Sequence, residues 1–476
     1  MSEPQTHQPQ RLTPERNTVL IVATLGGFLV TFMSSTINIA LPLIQEEFQV
    51  SAVTLGWISL SYVLVAGATL LPMGRIADLQ GRVRVFIASM IIFTVIAFAC
   101  AFAPSANVLL VLRAVHGLGL ASGSATSTAL VILAFPPESR GRALGLNVAG
   151  IYLGVTLGPV LGGLIIHNLG WRSLFLVVGA VGLVNVALPL WKLRHLDWRE
   201  PKRARFDILG SLIYGASLTA VLLGFSLLPD LTGIILVVAG VVGLAVFLWW
   251  ETRAADPLLN VDLLRRSRVF AYSNVAAFVN YSATSAMTFL MSLYLQYNRG
   301  LNPQTTGLII VTGAFVQVII APVIGRLTDR LEPRYLASAG MGLCVLSLLA
   351  FSFLSTTTPY WFIIVVLCVL GAGIALFATP NTHSIMNSVE TRFVGVASAT
   401  LATLRQAGMS MSMGLATLVL AVLVGREAIQ PSDYPQVLTS VRITFMIFTA
   451  LCALGTAASM VGPRRAGKTA DQQMKG

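Results

Sequence analysis

Fourteen apolar runs, most of about twenty residues, alternate with shorter polar segments along the 476-residue chain. Runs of this length suit α-helices that cross roughly 30 Å of hydrocarbon, whereas the strands of a membrane barrel would alternate over about ten residues. Helices also satisfy their own backbone polar groups in lipid. The pattern therefore predicts an all-α polytopic membrane protein. The predicted spans are 18–42, 54–74, 84–103, 107–135, 143–166, 173–192, 208–228, 232–250, 269–295, 306–325, 335–355, 361–380, 394–424 and 442–462.

The runs fall into a group of six, a pair and a second group of six. GRIADLQGR begins at Gly74 after the second run, and GRLTDRLEPR begins at Gly325 after the tenth, an offset of 251 residues. The triplets that begin at Glu138 and Glu390 align at an offset of 252. These matches favour a duplicated six-span unit, which many secondary transporters use to enclose a site at the midplane. The predicted parts are a disordered arm (1–17), a six-helix bundle (18–192), a basic linker with two inserted helices (193–268), a second six-helix bundle (269–462) and a cytoplasmic tail (463–476).

Only 11% of the residues are charged, against about a quarter in soluble domains. An even number of spans puts both termini on one side. If that side is the inside, 25 of the 31 Lys and Arg residues lie there and four lie in the outer loops. This asymmetry predicts a multi-pass protein of the plasma (inner) membrane with both termini cytoplasmic. It also accounts for the formal net charge of +12 without any nucleic acid partner.

The stretch LGVTLGPVLGG places Gly154, Gly158 and Gly162 at every fourth position, with Pro159 and Gly163 among them. Helices in lipid pack closely where small residues form a stripe. Proline bends a helix and frees a carbonyl, which is tolerated where neighbouring protein covers it. The stripe is either a static packing seam or a sliding face between the two bundles, and we favour the sliding face.

Arg113, in the fourth predicted span, is the most informative single polar residue in the sequence. A charge in mid-span costs several kcal/mol unless it is paired or hydrated, so we expect Arg113 to face a central cavity. His116 lies three residues further on, on the same helical face. Arg405 and Gln406 form the second polar insertion, in span 13. The alternative for each arginine is a purely structural role, in which it donates hydrogen bonds to backbone carbonyls.

Five motifs together resemble those of the major facilitator superfamily, and more closely its fourteen-span drug:proton antiporter branch of multidrug efflux type. The resemblance covers about residues 18–462 and implies a 6+2+6 fold that works by alternating access. It also implies that Gly74, Asp78, Gly81 and Arg82 form a cytoplasmic latch. Gly325 and Asp329 are the counterparts of this latch in the second half. The motifs are LGVTLGPVLGG, GRIADLQGRVR, LRAVHGLG, TINIALP and DILG.

The chain departs from the resemblance at three places. Met33 stands where the branch commonly has an aspartate, Leu79 where the loop motif usually has an arginine, and His116 where the family usually has a glutamine. None of the 19 acidic residues falls in the middle of a span. Within spans, His116 and His383 are the candidates for titration near neutral pH. A cavity with an arginine and no acid favours neutral lipophilic or anionic amphipathic compounds over cations.

Other polar residues within spans are candidates for lining the cavity, and each has the alternative role of an interhelical hydrogen bond. They are Ser34, Asn38, Tyr62, Tyr152, Asn280, Tyr281 and Gln317. No catalytic residue, metal or cofactor is predicted. The five histidines are scattered along the chain and have no metal-ligand spacing. GPRRAGKT fits the phosphate-loop pattern, but it follows the last span and lacks the strand and helix that the motif needs.

These observations predict a secondary transporter, not an enzyme, that exports lipophilic or amphipathic small molecules with proton coupling. The predicted protein is a monomer whose partners are the small lipophilic substrate, protons and membrane lipids. One alternative is a facilitator, or a lipid or anionic-amphiphile exporter, without proton antiport. The alternative of another class is a membrane sensor or partner protein that transports nothing.

Overall fold

The computed structural model describes residues 13–195, 207–254, 257–259, 261, 265, 267–328, 330–389, 394–425 and 427–460. Several predictions fall outside these residues. They concern the first twelve residues of the arm, the basic segment 196–206, the triplet at Glu390, Asp329 and the tail.

Fourteen helices, one of them in two pieces, build the described part of the chain. Thirteen are long and apolar enough to cross a membrane by length and composition. The predicted all-α fold of fourteen helices is confirmed. The helices are α1 Thr13–Phe48, α2 Ala52–Gln80, α3 Arg82–Ala101, α4 Ala106–Ala134, α5 Pro137–Leu169, α6 Trp171–Lys192, α7 Ile208–Leu227, α8 Leu231–Glu251, α9a Arg268–Thr284, α9b Met287–Leu293, α10 Pro303–Thr328, α11 Pro333–Phe351, α12 Tyr360–Asn387, α13 Val394–Leu423 and α14 Tyr434–Ser459.

Several helices extend beyond the apolar runs that predicted them. α1 starts at Thr13, so residues 13–17, predicted as part of a disordered arm, are helical. α14 starts at Tyr434, eight residues before the predicted span. The apolar run marks only the hydrocarbon-facing part of a helix, and hydrogen bonding continues past it into the polar region. An acidic residue in the first turn, Glu15, further suits the helix dipole.

The ninth span is two helical pieces instead of one continuous helix. α9a ends at Thr284, and α9b continues as a π-helix over Tyr294–Asn298. At the break, the backbone N–H of Ala286 donates to Ser412 Oγ of α13 at 2.9 Å. A polar side chain from a neighbouring helix thus satisfies a backbone group that the break frees, as a membrane interior requires.

We call α1–α6 the first half and α9–α14 the second half. In the first half α1 packs on α5, α2 on α4, α3 on α4 and α3 on α6. In the second half α9a packs on α13, α10 on α12, α11 on α12 and α11 on α14. The same set of neighbours occurs in both halves. Between the halves, α5 packs on α10 and α2 packs on α13.

The α7–α8 hairpin covers the seam between α2 and α13. A side chain on Gly67 of α2 would meet Leu218, and one on Gly414 of α13 would meet Leu222. α8 is largely exposed and packs mainly on α7. The inserted pair therefore lies outside the two halves, against one of the two seams that join them.

Candidate functional site

Polar contacts join the two halves at one end of the molecule. We call it the distal end, because it lies opposite the end where α1 begins and α14 finishes, which is the terminal end. Ser292 Oγ of α9b donates to the carbonyl of Asn38 at 2.7 Å, and Gln296 Nε2 donates to the carbonyl of Ile39 at 3.2 Å. Ser59 Oγ holds the Asn38 side chain at 2.8 Å. These residues close the space between α1 and α9b.

The distal closure continues around Gln45 at the end of α1. Tyr297 donates to Gln45 Oε1 at 3.2 Å, and Gln45 Nε2 donates to the carbonyl of Ile429 at 3.2 Å. An antiparallel bridge between Ser51 and Ala428 adds a further link between the halves. Of the residues in this distal network, only Asn38 was predicted from the sequence. A single sequence does not distinguish polar residues near span ends that contact the other half from those that face solvent.

Glycines allow the halves to touch directly at the distal ends of α5 and α10. A Cβ on Gly307 would meet the backbone carbonyl of Pro159, and a Cβ on Gly163 would lie 2.6 Å from the carbonyl oxygen of Pro303. Neither helix has space for a methyl group at these points. This second face of the glycine stretch is the one that meets the other half.

The stripe of Gly154, Gly158 and Gly162 lies elsewhere. A Cβ on Gly154 would meet Thr31, one on Gly158 would meet Ser35, and one on Gly162 would meet Thr36, all on α1. The stripe therefore packs α5 on α1 within the first half, and not between the bundles as predicted. The spacing alone could not show which neighbouring helix the stripe faces, because both faces of α5 carry glycine.

Hydroxyl groups on α1 complete this seam. Thr31 Oγ1 donates to the carbonyl of Ile151 at 2.9 Å, and Thr36 Oγ1 donates to the carbonyl of Gly158 at 2.9 Å. The glycines of this stretch let the two helices approach closely enough for these bonds to form. Ser34, predicted as a cavity-lining residue, is half-buried in the same run of Ser and Thr on α1. Thr31 and Thr36 were not predicted, because such a run does not reveal which members face α5.

Arg113 lies inside the first half, with none of its surface exposed. Its guanidinium stacks 4.0 Å from the ring centroid of Tyr62, and its Nε donates to the carbonyl of Ile58 at 3.4 Å. Tyr62 in turn donates to the carbonyl of Val30 at 3.2 Å. The prediction that Arg113 faces a hydrated cavity does not describe this state, because α2 covers the guanidinium.

His116 is the other buried member of this group. Its Nδ1 lies 3.2 Å from Nη1 of Arg113, and its ring lies 4.2 Å from that of Phe93. Within the described residues, neither His116 Nε2 nor Arg113 Nη2 has a hydrogen-bond partner. Gly117 and Gly119 explain the tight burial, because a Cβ on either would press into the backbone of α2 or α3.

A second polar group lies between the halves. The guanidinium carbon of Arg405 on α13 lies 5.9 Å from the ring centroid of Tyr281 on α9a. Tyr152 on α5 lies within electrostatic range of both. Arg405 is exposed and the two tyrosines are half-buried. The structure therefore brings together three residues that the sequence predicted separately as cavity-lining.

The remaining predicted cavity residues have different surroundings. Gln406 Nε2 donates to the carbonyl of Val63 on α2 at 3.1 Å, so this amide joins the halves. Asn280 is buried inside the second half beside Cys344, and Gln317 is half-buried on α10. Of these three side chains, only Gln406 makes a described contact between the halves.

The loop motif at the terminal end forms its ion pair within itself. Arg82 contacts Asp78 through Nε at 2.8 Å and Nη2 at 2.7 Å. Gly81 joins α2 to α3 with φ of +104°, a conformation that favours glycine. A Cβ on Gly74 would lie 3.8 Å from Ala125 on α4, whereas one on Gly325 would meet nothing within 4 Å. Asp329, the counterpart of Asp78, lies outside the described residues.

The described residues include no group of three or more His, Cys, Asp or Glu side chains that could hold a metal ion. Arg405 and two phenol rings provide a charged and aromatic surface between the halves, and Arg113 and His116 form a buried pair inside the first half.

Comparison with known proteins agrees with this geometry. The family model described as Major Facilitator Superfamily matches residues 23–413 and 274–472. The multidrug resistance protein Stp of Mycobacterium tuberculosis is 33% identical over 409 residues, covering 84% of this chain and 75% of that protein. The riboflavin transporter RibZ of Clostridioides difficile is 29% identical over 401 residues, covering 84% of this chain and 86% of that protein.

A methylenomycin A resistance protein of Streptomyces coelicolor is 29% identical over 400 residues, covering 82% of this chain and 83% of that protein. The fold is similar to the crystal structure of a bacterial homologue of the human lysosomal transporter Spinster, described as inward-facing and unoccupied. That match has a TM-score of 0.64 at 16% identity and covers 94% of this chain and 97% of the other. At this identity the likeness concerns the fold.

Proposed function

The chain belongs to the Major Facilitator Superfamily of multi-pass membrane transporters, and on that premise we propose that it exports lipophilic or amphipathic small molecules by alternating access. One observation supports this most directly. Arg405, Tyr281 and Tyr152 form a polar and aromatic surface between halves that are joined at the distal end. Relatives with resistance to drugs in their names agree with such a substrate class, while the riboflavin transporter indicates that an aromatic metabolite is a further candidate.

We propose that the halves correspond to residues 18–192 and 269–462 and rock as units. The excess of basic residues in the terminal-end segments indicates that this end is cytoplasmic in the plasma (inner) membrane. In that orientation the described state is closed to the outside, and substrate reaches the cleft from the cytoplasm or the inner leaflet. We propose that the protein acts as a monomer embedded in lipid.

We further propose that transport is coupled to protons through His116. A guanidinium only donates hydrogen bonds, so His116 Nδ1 must accept from Arg113, and a neutral imidazole then carries its proton on Nε2. Protonation of Nδ1 would place two like charges side by side and break this contact. Proton binding and the buried position of Arg113 therefore exclude each other. Among the described residues, the other titratable groups around them are Tyr62 on α2 and Cys100 on α3.

Efflux from proteoliposomes with and without a pH gradient tests the coupling. The variant His116→Gln keeps a hydrogen-bond acceptor for Arg113 and cannot titrate. We expect it to transport down a substrate gradient but to lose its response to the pH gradient. His383→Gln is the matched control, because His383 is exposed and contacts Asn387 on its own helix. An unchanged pH response in His116→Gln would remove this histidine from the coupling.

Arg113→Ala tests the buried group itself. We expect this variant to insert in the membrane and to lose transport, because it removes the link between α4 and the carbonyl of Ile58 on α2. Normal efflux in Arg113→Ala would exclude Arg113 from the mechanism. A facilitator, or an exporter of anionic amphiphiles without proton antiport, is the second candidate function. The absence of acidic residues from the middle of the predicted spans favours it, and the pH-gradient experiment separates the two.

A further inference from the structure

We infer that Arg405, Tyr281 and Tyr152 form a binding site for aromatic anions, compounds that carry a carboxylate, sulfonate or phosphate group on a flat ring system. The inference rests on the proposed transport function and names the substrate class for the same cleft. It follows from the charge and exposure of Arg405, from the two aromatic rings near it and from the packing of the helices that carry them.

Among the described residues, no acidic side chain pairs with the positive charge of Arg405. Arg405 is exposed, and its described contact is the Tyr281 ring. Among the described residues, the acidic side chains on helices lie in their first or last turns, as at Glu47, Asp78 and Glu251. A cleft with low-dielectric walls and one sign of charge concentrates ligands of the opposite sign. A cation would be repelled there.

The site can also recognise the shape of a ligand. A guanidinium presents a planar fork that matches carboxylate, sulfonate and phosphate oxygens. The tyrosine rings offer flat apolar surfaces on which an aromatic ligand can stack, and their hydroxyl groups can donate to it. These features together select an anionic group attached to a ring.

The three side chains are carried by closely packed stretches of backbone. A Cβ on Gly408 would lie 2.6 Å from the carbonyl oxygen of Phe278, so α13 and α9a touch next to Arg405 and Tyr281. Tyr152 lies beside Ile151, whose carbonyl is bound by Thr31 of α1. Residues carried on packed helices are positioned more precisely than residues on loops. Tyr152 and Arg405 belong to opposite halves, so a ligand that contacts both bridges the halves.

Three probes that share one ring system test the inference: 1-pyrenebutyrate (anionic), 1-pyrenebutanol (neutral) and 1-pyrenebutyl-trimethylammonium (cationic). Binding to the full-length protein in phosphatidylcholine nanodiscs is read as energy transfer from tryptophan to pyrene, after subtraction of protein-free nanodiscs. We expect pyrenebutyrate to bind about tenfold more tightly than pyrenebutanol, and the cation to bind most weakly, since a charged hydrogen bond contributes this much.

Variants assign the preference to residues. Arg405→Gln should bring pyrenebutyrate to the affinity of pyrenebutanol and leave pyrenebutanol within about twofold, while Arg405→Lys should keep part of the preference. Tyr281→Ala should weaken all three probes by a similar factor, because it removes stacking surface. Arg253→Gln is the matched control for loss of one positive charge. Arg253 lies over Trp249 at the end of α8, away from the cleft, and its loss should change nothing.

Equal affinity for all three probes, tightest binding of the cation, or an anion preference that survives in Arg405→Gln would overturn the inference. If pyrenebutanol binds and is transported without any anion preference, this inference fails while the proposed export function stands. If none of the probes binds or moves, both fail. Displacement of pyrenebutyrate by added phosphatidylglycerol would assign the site to lipid phosphate and would also overturn it.

Discussion

Replacing Gly307 by alanine should open the distal end of the molecule. The added Cβ would meet the carbonyl oxygen of Pro159 and would lie 2.8 Å from its carbonyl carbon, closer than real Cβ contacts occur. Both obstacles are backbone atoms of α5, so neither can move aside without separating the two halves. Overpacking of this kind costs about 1–3 kcal/mol. Because the clash exists only while the distal end is closed, we expect the ratio of open to closed molecules to rise about 5- to 150-fold.

Alanine also favours a helix over glycine by about 1 kcal/mol, but this gain is the same in both states and cancels from their ratio. Gly342→Ala is the matched control, because a Cβ there meets nothing within 4 Å. Gly158→Ala is a second comparison. Its clash lies within the first half, so it should lower the thermal stability without changing the ratio of states.

Double electron–electron resonance measures the ratio directly. Spin labels at Asn107 and Thr357 place one exposed reporter at the distal end of each half, in a background that lacks the four native cysteines. The longer distance should gain population in Gly307→Ala and not in Gly342→Ala. An unchanged distribution in Gly307→Ala, with the variant folded, would refute the assignment of this contact to the gate.

Two further changes test the seams. Ser292→Ala removes the hydrogen bond to the Asn38 carbonyl at 2.7 Å and should raise the distal-open population about 2- to 10-fold in the same spin-label experiment; a shift toward the closed state would contradict the proposed closure. Thr36→Val removes the bond to the Gly158 carbonyl at 2.9 Å and should lower the free energy of unfolding by about 0.6–1.5 kcal/mol. Thr219→Val is the control in thermal unfolding, because it loses a hydrogen bond within one exposed helix turn. An equal loss of stability in both variants would show that the hydrogen bond between α1 and α5 makes no special contribution.

The helical architecture could be read from the sequence because it depends on local rules. Each apolar run must form its own hydrogen bonds in lipid, so fourteen runs became fourteen helices, even where α9 is interrupted. The repeat at Gly74 and Gly325 pointed to two halves, and the pairing of helices recurs in both. The resemblance to a transporter family rested on contiguous motifs and is likewise confirmed by the family match.

The placement of side chains was predicted less well, since it depends on which face of a helix meets which neighbour. Spacing identified the stripe through Gly158 but could not tell whether it faced α1 or the other half. Arg113 was expected in a hydrated cavity, yet it lies under Tyr62 of α2. The distal network through Ser292 gave no signal, because its partners are backbone carbonyls hundreds of positions away.

The sequence by itself determined that this protein is an all-α membrane protein of fourteen helices with two related halves, and it identified the mid-span charges. The tertiary structure alone decided that Arg113 is enclosed and that Arg405 is exposed between the halves. The physical reason is that burial of a charge depends on the rotation of its helix and on the contacts of neighbouring helices. Those contacts are set where glycines such as Gly117 let two backbones meet, which no local pattern reveals.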